Sequence, residues 1–192
     1  MILVEPHISG LQAERVIKKT GYPRSYRVQD NGFSGGIWLL WSNEVDVEIL
    51  HSHHQFIHCS INWINEGKST LLSAIYGSPT PSIREMLWRD LSSLAHSNTS
   101  PWMLTGDFSA TLSIGERQGG GRRQVQGNKS FQDFFITNHL FDLGFSRPKF
   151  TWRRGTLLVR LDRSLANEPW LTMFPMPQFS ISQKWEVIIA PS

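Results

Sequence analysis

Three carboxylates and one phenol stand where short apolar runs end. Asp107 follows Met103-Leu104-Thr105-Gly106, and Glu5 follows Ile2-Leu3-Val4. Asp162 follows Leu157–Leu161, and Tyr76 closes the run that begins at Leu71, just before Gly77-Ser-Pro79. An apolar run of this length reads as a buried strand, and open α/β sheets bind their ligands at strand ends. Carboxylates that converge at one rim could collect Mg²⁺, which prefers carboxylate and water oxygens. Asp107 equally suits the cap of a turn or of a following helix, and the Tyr76 hydroxyl could reach a site rim or simply pack.

Other residues invite chemistry less strongly. His51, His53, His54 and His58 cluster in sequence, but they lack acidic or thiol companions and lie on or beside an ordinary strand, which argues against a metal site. Gly35-Gly36 lacks the following helix of a phosphate loop and reads as a turn or as close strand packing. Cys59 is the only cysteine, so no internal disulfide is possible, and its place between Ile57 and Ile61 reads as core.

The formal net charge is +3. Residues 117–163 carry ten Arg or Lys, including Arg117, Arg122, Arg123, Arg147, Arg153, Arg154, Arg160 and Arg163, against Asp133, Asp142 and Asp162. A basic segment in a chain with 11% aromatic residues suits a phosphate backbone, or else it is a solvated face.

The elements that must position these residues follow in order. Ile2–Val4 opens as a strand, and a helix starts at Ser9 or Gly10 and runs through Lys19, with Leu11, Val16 and Ile17 inward. Tyr26–Val28, Phe33–Trp41 and Val45–Leu50 read as strands. Phe56–Trp63 and Leu71–Tyr76 form a hairpin about Asn65-Glu-Gly67. Ser82 caps a helix over 82–95 carrying Met86, Leu87, Leu91 and Leu94, and the strand to Asp107 completes a strand–helix–strand unit. The glycine- and arginine-rich stretch 115–127 reads as a flexible, positive surface loop. Residues 128–140 read as a helix with Phe131, Phe134, Phe135 and Leu140 inward. Phe150–Arg154 pairs with Leu157–Leu161 around Gly155, and a short helix runs from Ser164 across Trp170. Residues 185–190 have strand character.

With 192 residues and 40% apolar content the chain can bury a sizeable core in one domain. No run is long enough to span a bilayer. The start has no basic leader or cleavage-like site, so nucleus or cytoplasm is expected and secretion is not. Its opening directly on a strand suggests missing upstream sequence. That would leave an apolar sheet edge or face exposed beside residues 2–4 or 102–105 and make the chain poorly soluble.

Taken together, several stretches resemble the endonuclease domain of plant LINE-type non-LTR retrotransposons, within the endonuclease/exonuclease/phosphatase superfamily. They are Leu-Val-Glu-Pro (3–6), Gly-Phe-Ser-Gly-Gly-Ile-Trp (32–38), Ala-Ile-Tyr-Gly-Ser-Pro (74–79), Leu-Thr-Gly-Asp-Phe (104–108), Asp-Leu-Gly-Phe (142–145), Phe-Thr-Trp-Arg-Arg-Gly (150–155) and Arg-Leu-Asp-Arg (160–163). The resemblance implies a DNase I-like α/β fold, incomplete here: a two-sheet sandwich flanked by helices in four layers, over residues 1–181, with 182–192 a divergent tail. It implies phosphodiester cleavage with Mg²⁺ or Mn²⁺ as cofactor and DNA as partner, nicked to prime reverse transcription; no membrane association or protein partner is inferable. By resemblance Glu5 matches the metal-binding glutamate, and Tyr76 the tyrosine near the phosphate. Asp107 matches the aspartate that orients or activates water, and Asp162 the carboxylate that holds a catalytic histidine. Arg117, Arg122, Arg123, Arg153 and Arg154 are the candidate nucleic-acid contacts.

Three departures qualify the resemblance. The family's first-strand asparagine precedes the start of this sequence. The family's Asp-x-Asn is Asp107-Phe108-Ser109 here, so a hydroxyl replaces an amide. No Ser-Asp-His stands near the end, where the chain reads Ser180-Ile-Ser-Gln-Lys-Trp185. The expectation is therefore an endonuclease fold with little or no activity. The alternatives are a non-catalytic nucleic-acid-binding remnant, a relic with no selected function, or a phosphoesterase for small substrates.

Overall fold

The computed structural model describes residues 1–28, 36–95, 99–120, 127–144 and 148–175, and the backbone of 187–189. In chain order the elements are β1 (Ile2–Val4), α1 (Gly10–Thr20), β2 (Arg24–Val28), β3 (Ile37–Trp41), β4 (Val45–His53), β5 (Phe56–Trp63), β6 (Lys68–Tyr76), α2 (Pro81–Leu94) and β7 (Trp102–Asp107). There follow β8 (Arg117–Gln118), α3 (Lys129–Thr137), β9 (Phe141–Asp142), β10 (Trp152–Arg154), β11 (Leu157–Val159), β12 (Asp162–Ala166), α4 (Glu168–Met173) and β13 (Val187–Ile189).

Three sheets form. One has the order β13-β1-β3-β2 and a second the order β4-β5-β6-β7-β12-β9. The third, β10-β11-β8, is small. The two larger sheets face each other across a core of Ile2, Val4, Ile37 and Leu39 against Ile57, Cys59, Ile61, Leu72, Ala74 and Met103. The second face of the six-stranded sheet packs Phe56, Ile75, Leu104 and Leu165 against Leu87, Trp88 and Leu91 of α2 and Phe131 and Phe134 of α3. The outer face of the four-stranded sheet holds α1 through Ala13 and Ile17 against Trp38 and Leu40. This is the expected α/β sandwich with helices outside.

Alternation along the strands explains the layering, because side chains two apart share a face. In β7, Trp102 and Leu104 face the helices while Met103 faces the other sheet. Asp107 lies in phase with Met103 and so emerges at the rim between the sheets. The β5–β6 hairpin forms as the glycine predicts, with Gly67 at φ +62° and its N–H on Trp63 O at 3.0 Å. β6 and β7 pair in parallel around α2.

Several expectations are corrected. Ala13 and Ile17 form the inner face of α1, whereas Leu11 and Val16 are exposed. α2 starts at Pro81 behind Thr80, so Ser82 lies inside its first turn, and Met86 is exposed while Trp88 is buried. Trp88 stacks on Phe131 at 4.6 Å and Phe134 at 5.5 Å and ties α2 to α3. Asn128 caps α3 by accepting the Phe131 N–H at 2.8 Å, and the helix ends at Thr137 rather than 140. Ser164–Ala166 is strand, not helix, and α4 starts after Asn167, whose side chain accepts the Trp170 N–H. Part of 115–127 is ordered by a single helical turn at Ile114–Glu116 and by β8. Phe33–Gly35 lies outside the described residues. Strand β1 lies between β13 and β3, and β7 between β6 and β12, so neither forms the exposed edge expected at 2–4 or 102–105.

Candidate active site

The register of the six-stranded sheet sets three residues side by side. Asp107 pairs with Tyr76 on its β6 side and with Asp162 on its β12 side. Asp162 thus opens β12 instead of closing the strand before it, because β11 belongs to the small sheet and the chain crosses between sheets at Arg160-Leu161. Glu5 comes from the other large sheet, immediately beyond β1. The Tyr76 hydroxyl donates to Glu5 Oε1 and so joins the two sheets. The structure therefore brings Glu5, Tyr76, Asp107 and Asp162 to one rim.

Local backbone geometry holds them there. Gly106 has φ +137°, and a Cβ on it would run into the carbonyl of Ile75, so only glycine lets β7 lie this close to β6 beside Tyr76. Glu5 and Ser109 both take positive φ, +53° and +47°, conformations that cost non-glycine residues energy and persist where surroundings enforce them. The Glu5 N–H is held by Gly36 O at 3.1 Å. The Ser109 N–H donates to Asp107 Oδ1 at 2.6 Å.

Burial and mutual repulsion set the protonation of the pair. Asp107 is pushed up to about 7, by burial first and then by the charge of Asp162, against a lowering by the Ser109 N–H and a further rise from Glu5. Asp162 is also raised by burial, and the Thr151 hydroxyl and Arg163 pull it back. Its Oδ1 is buried and has no hydrogen-bond partner. Tyr76 is raised by burial and by its bond to Glu5, so it stays a phenol and a donor.

This carries a prediction about pH. Asp107 in the native state keeps its proton to about pH 7, whereas the unfolded chain loses it near 3.8. Between those values the folded state binds more protons, so stability falls as pH rises through the window, and the penalty is complete above 7. Asp107→Asn removes it. With chelator present, the variant should unfold at higher temperature than the parent at pH 8, by roughly 2–4 kcal/mol of stability, and match it at pH 4. A parent as stable as the variant at pH 8 would overturn the assignment.

Residues that sequence reasoning did not single out complete the site. The Thr151 hydroxyl accepts the N–H groups of Leu161 and Asp162 at 3.0 and 3.1 Å, which leaves its proton for the Asp162 carboxylate. The expected hairpin about Gly155 contained the signal, since it folds Thr151 back toward Leu161. Gln55 is buried; its side chain accepts the Ser78 N–H at 2.7 Å and donates to Ile83 O at 3.0 Å, while its carbonyl accepts the Tyr76 N–H. Arg84 is buried and donates to the carbonyls of Ser78 and Pro79. Together they fix the loop after Tyr76, and no local pattern announces them.

The arginines divide. Arg153 and Arg154 are exposed on β10, on the hairpin whose base touches Asp162. Arg117 is half-buried, and Arg122, Arg123 and Arg147 lie outside the described residues. Arg160 and Arg163 are not available to a phosphate. They are buried against Glu116 and Asp142. Among the histidines, His58 is buried, bonded to Ser73 at 2.8 Å and lowered to about 4 mainly by burial, so it is a neutral core residue. His53 accepts the Gln55 N–H at 3.4 Å. Cys59 is buried and its thiol is pushed up to about 12, as a core cysteine should be.

The donor set is one of hard oxygens. Among the described residues no three His, Cys, Asp or Glu side chains are arranged to enclose a metal ion. Mg²⁺ commonly binds one or two carboxylates and completes its shell with water and substrate phosphate. Glu5 and Asp107, with the unsatisfied Asp162 oxygen nearby, fit that mode.

Comparison with known proteins agrees with this fold. The family profile described as Endonuclease/Exonuclease/phosphatase family matches residues 1–175. No curated protein sequence matches the chain. Among solved structures it is similar to the endonuclease domain of TRAS1, a telomere-specific non-LTR retrotransposon, with TM-score 0.60 and 15% identity over 89% of this chain and 87% of that one. It is also similar to the human Nocturnin catalytic domain, with TM-score 0.58 and 14% identity over 87% of this chain and 68% of that one. A humanized D. rerio TDP2 gives TM-score 0.56 and 11% identity over 86% and 69%. At such identities the likeness shows the fold.

Proposed function

The chain belongs to the endonuclease/exonuclease/phosphatase family, and from that premise we propose that it binds nucleic-acid phosphodiesters at the Glu5–Asp107 rim, with hydrolysis attenuated below an assayable rate. The observation that carries the reading is the convergence of Glu5, Tyr76, Asp107 and Asp162 from two sheets. The plant LINE-type motifs support descent from a target-nicking endonuclease, and the exposed Arg153 and Arg154 beside the site support DNA as the ligand.

Each residue then has a role. Glu5, with Asp107, would hold Mg²⁺ or Mn²⁺, and such an ion, when bound, offsets charge building on the phosphate oxygens. Asp107, near pH 7 half-deprotonated, accepts a proton from an attacking water. The Tyr76 O–H keeps Glu5 oriented and presents a phenol to the phosphate. Thr151 holds Asp162. A leaving oxygen, however, finds no imidazole bonded to Asp162 among the described residues. The last of the seven histidines is His139, within the turn that ends α3.

The test is binding of a fluorescent DNA oligonucleotide, read by anisotropy. Mg²⁺ should tighten binding about tenfold over chelator, close to 1.4 kcal/mol, and Glu5→Ala should abolish the gain. Equal affinity with Mg²⁺ and with chelator would refute the proposal.

A further inference from the structure

Residues 10–28 hold five cations, Arg15, Lys18, Lys19, Arg24 and Arg27, against the single acid Glu14, which exceeds the +3 of the whole chain. Two of the five are matched on the surface. Arg24 pairs with Asp46 at 3.3 Å and Arg27 with Glu14 at 3.6 Å. Among the described residues, no carboxylate stands within ion-pair distance of Arg15, Lys18 or Lys19, and all three are exposed on α1.

The helix buries only Ala13 and Ile17. Its outer face carries Arg15 and Lys18 in line with Leu11, which is 72% exposed, so it is an uncovered face with cations and an apolar contact in one stripe. Lys18 and Lys19 alone would be explained by the helix dipole. Arg15, in mid-helix, is not.

Placement gives the stripe its direction. α1 starts five residues after Glu5, at the rim, and descends the outside of the four-stranded sheet, ending near Met1, Leu40 and Tyr22. Its eleven residues span about 16 Å.

We propose that the outer face of α1 is a track for a single-stranded nucleic-acid backbone leaving the rim at Glu5, with Arg15, Lys18 and Lys19 as phosphate contacts. The proposal rests on the rim binding a phosphodiester, and it adds a length requirement that the rim alone does not have. A single strand suits the path because the backbone must turn from the rim down the side of the sheet. An oligonucleotide confined to the rim does not reach Lys18. A longer one does.

The test uses the full chain and the variant Arg15→Glu/Lys18→Glu/Lys19→Glu, with Arg15→Gln/Lys18→Gln/Lys19→Gln as the neutral counterpart. All three positions are exposed, and a melt confirms folding. The probes are labelled single strands of about six and about twenty nucleotides, lengths that bracket a small single-strand site. Both variants should bind the long strand more weakly, by about tenfold or more for the Glu variant. The slope of log affinity against log salt should fall by about two, as three lost phosphate contacts require for single strands. The short strand should be unaffected. An unchanged long-strand affinity, or equal losses on both lengths, overturns the track. Loss of binding to phosphatidylserine–phosphatidylcholine vesicles, with long-strand binding kept, overturns it in favour of a membrane contact. If the parent binds only the long strand, and through these cations, the track stands and the reading of the rim falls. If the parent binds neither, both fall.

Discussion

Supercoiled plasmid incubated with this chain and Mg²⁺ should be nicked no faster than with Glu5→Ala or Asp107→Ala. The expectation follows from counting what hydrolysis requires. On the proposed reading, Asp107 would be the base for the attacking water, and Tyr76 and a cation at Glu5 would face the phosphate. Departure of the alkoxide needs a proton, and among the described residues no imidazole is bonded to Asp162 to supply it. Its Oδ1 is buried and unpartnered. Loss of a general acid–base group removes about 10²–10⁴ in rate. Ser109, where the resemblance leads one to expect asparagine, would add a further loss, and such losses do not simply multiply. Robust nicking that either substitution abolishes would show that another group of this chain supplies the proton.

The second large effect concerns Arg163. Its side chain is fully buried and bonds both Glu116 oxygens at 2.9 and 2.8 Å and the carbonyls of Ala110 and Arg160 at 3.2 Å. Asp142 lies 3.4 Å away and also accepts from Arg160 at 2.8 Å. The cluster fastens the turn before β8 and the edge strand β9 to β12, directly behind Asp162. Arg163→Met strips Glu116 of its bidentate partner and leaves it in the interior with only the Leu112 N–H at 2.6 Å and Arg160 at 3.5 Å, which costs up to about 3–5 kcal/mol. For a chain of this size that lowers the melting temperature by roughly 6–20 °C. Adding Glu116→Leu should recover most of the loss, since the Arg160–Asp142 pair survives. A single variant that melts within about 2 °C of the parent would contradict the network.

These examples mark what the sequence discloses. Met103-Leu104-Thr105-Gly106 announces a buried strand ending on Asp107, because strand, glycine and carboxylate are local in the chain. Asp162 was harder to place. The apolar run before it reads as one strand, but Arg160 and Leu161 cross between two sheets, and hydropathy does not register a crossing. Arg160 and Arg163 look like surface cations because their partners, Glu116 and Asp142, lie 18 to 47 residues away. On α1, Leu11 and Val16 outrank Ala13 in hydropathy, yet a helix lying close on a sheet meets it through its smaller residue. Gln55 acts through bonds to a loop 23 residues away, which no pattern encodes.

The parallel pairing of β1 with β13 has a consequence for how the protein is made. Ile2 is opposite Val187, so β1 waits for a strand synthesised about 185 residues later. At about 5–20 residues per second, the ribosome takes roughly 10–40 s to deliver that partner. For that interval one edge of β1 presents open backbone donors and acceptors, and closing so long a loop is slow. Glu5 follows directly on β1, so the strand that carries it to the rim is flanked on both sides only once β13 has docked. A nascent chain halted before residue 187 would expose the β1 edge to chaperones and proteases.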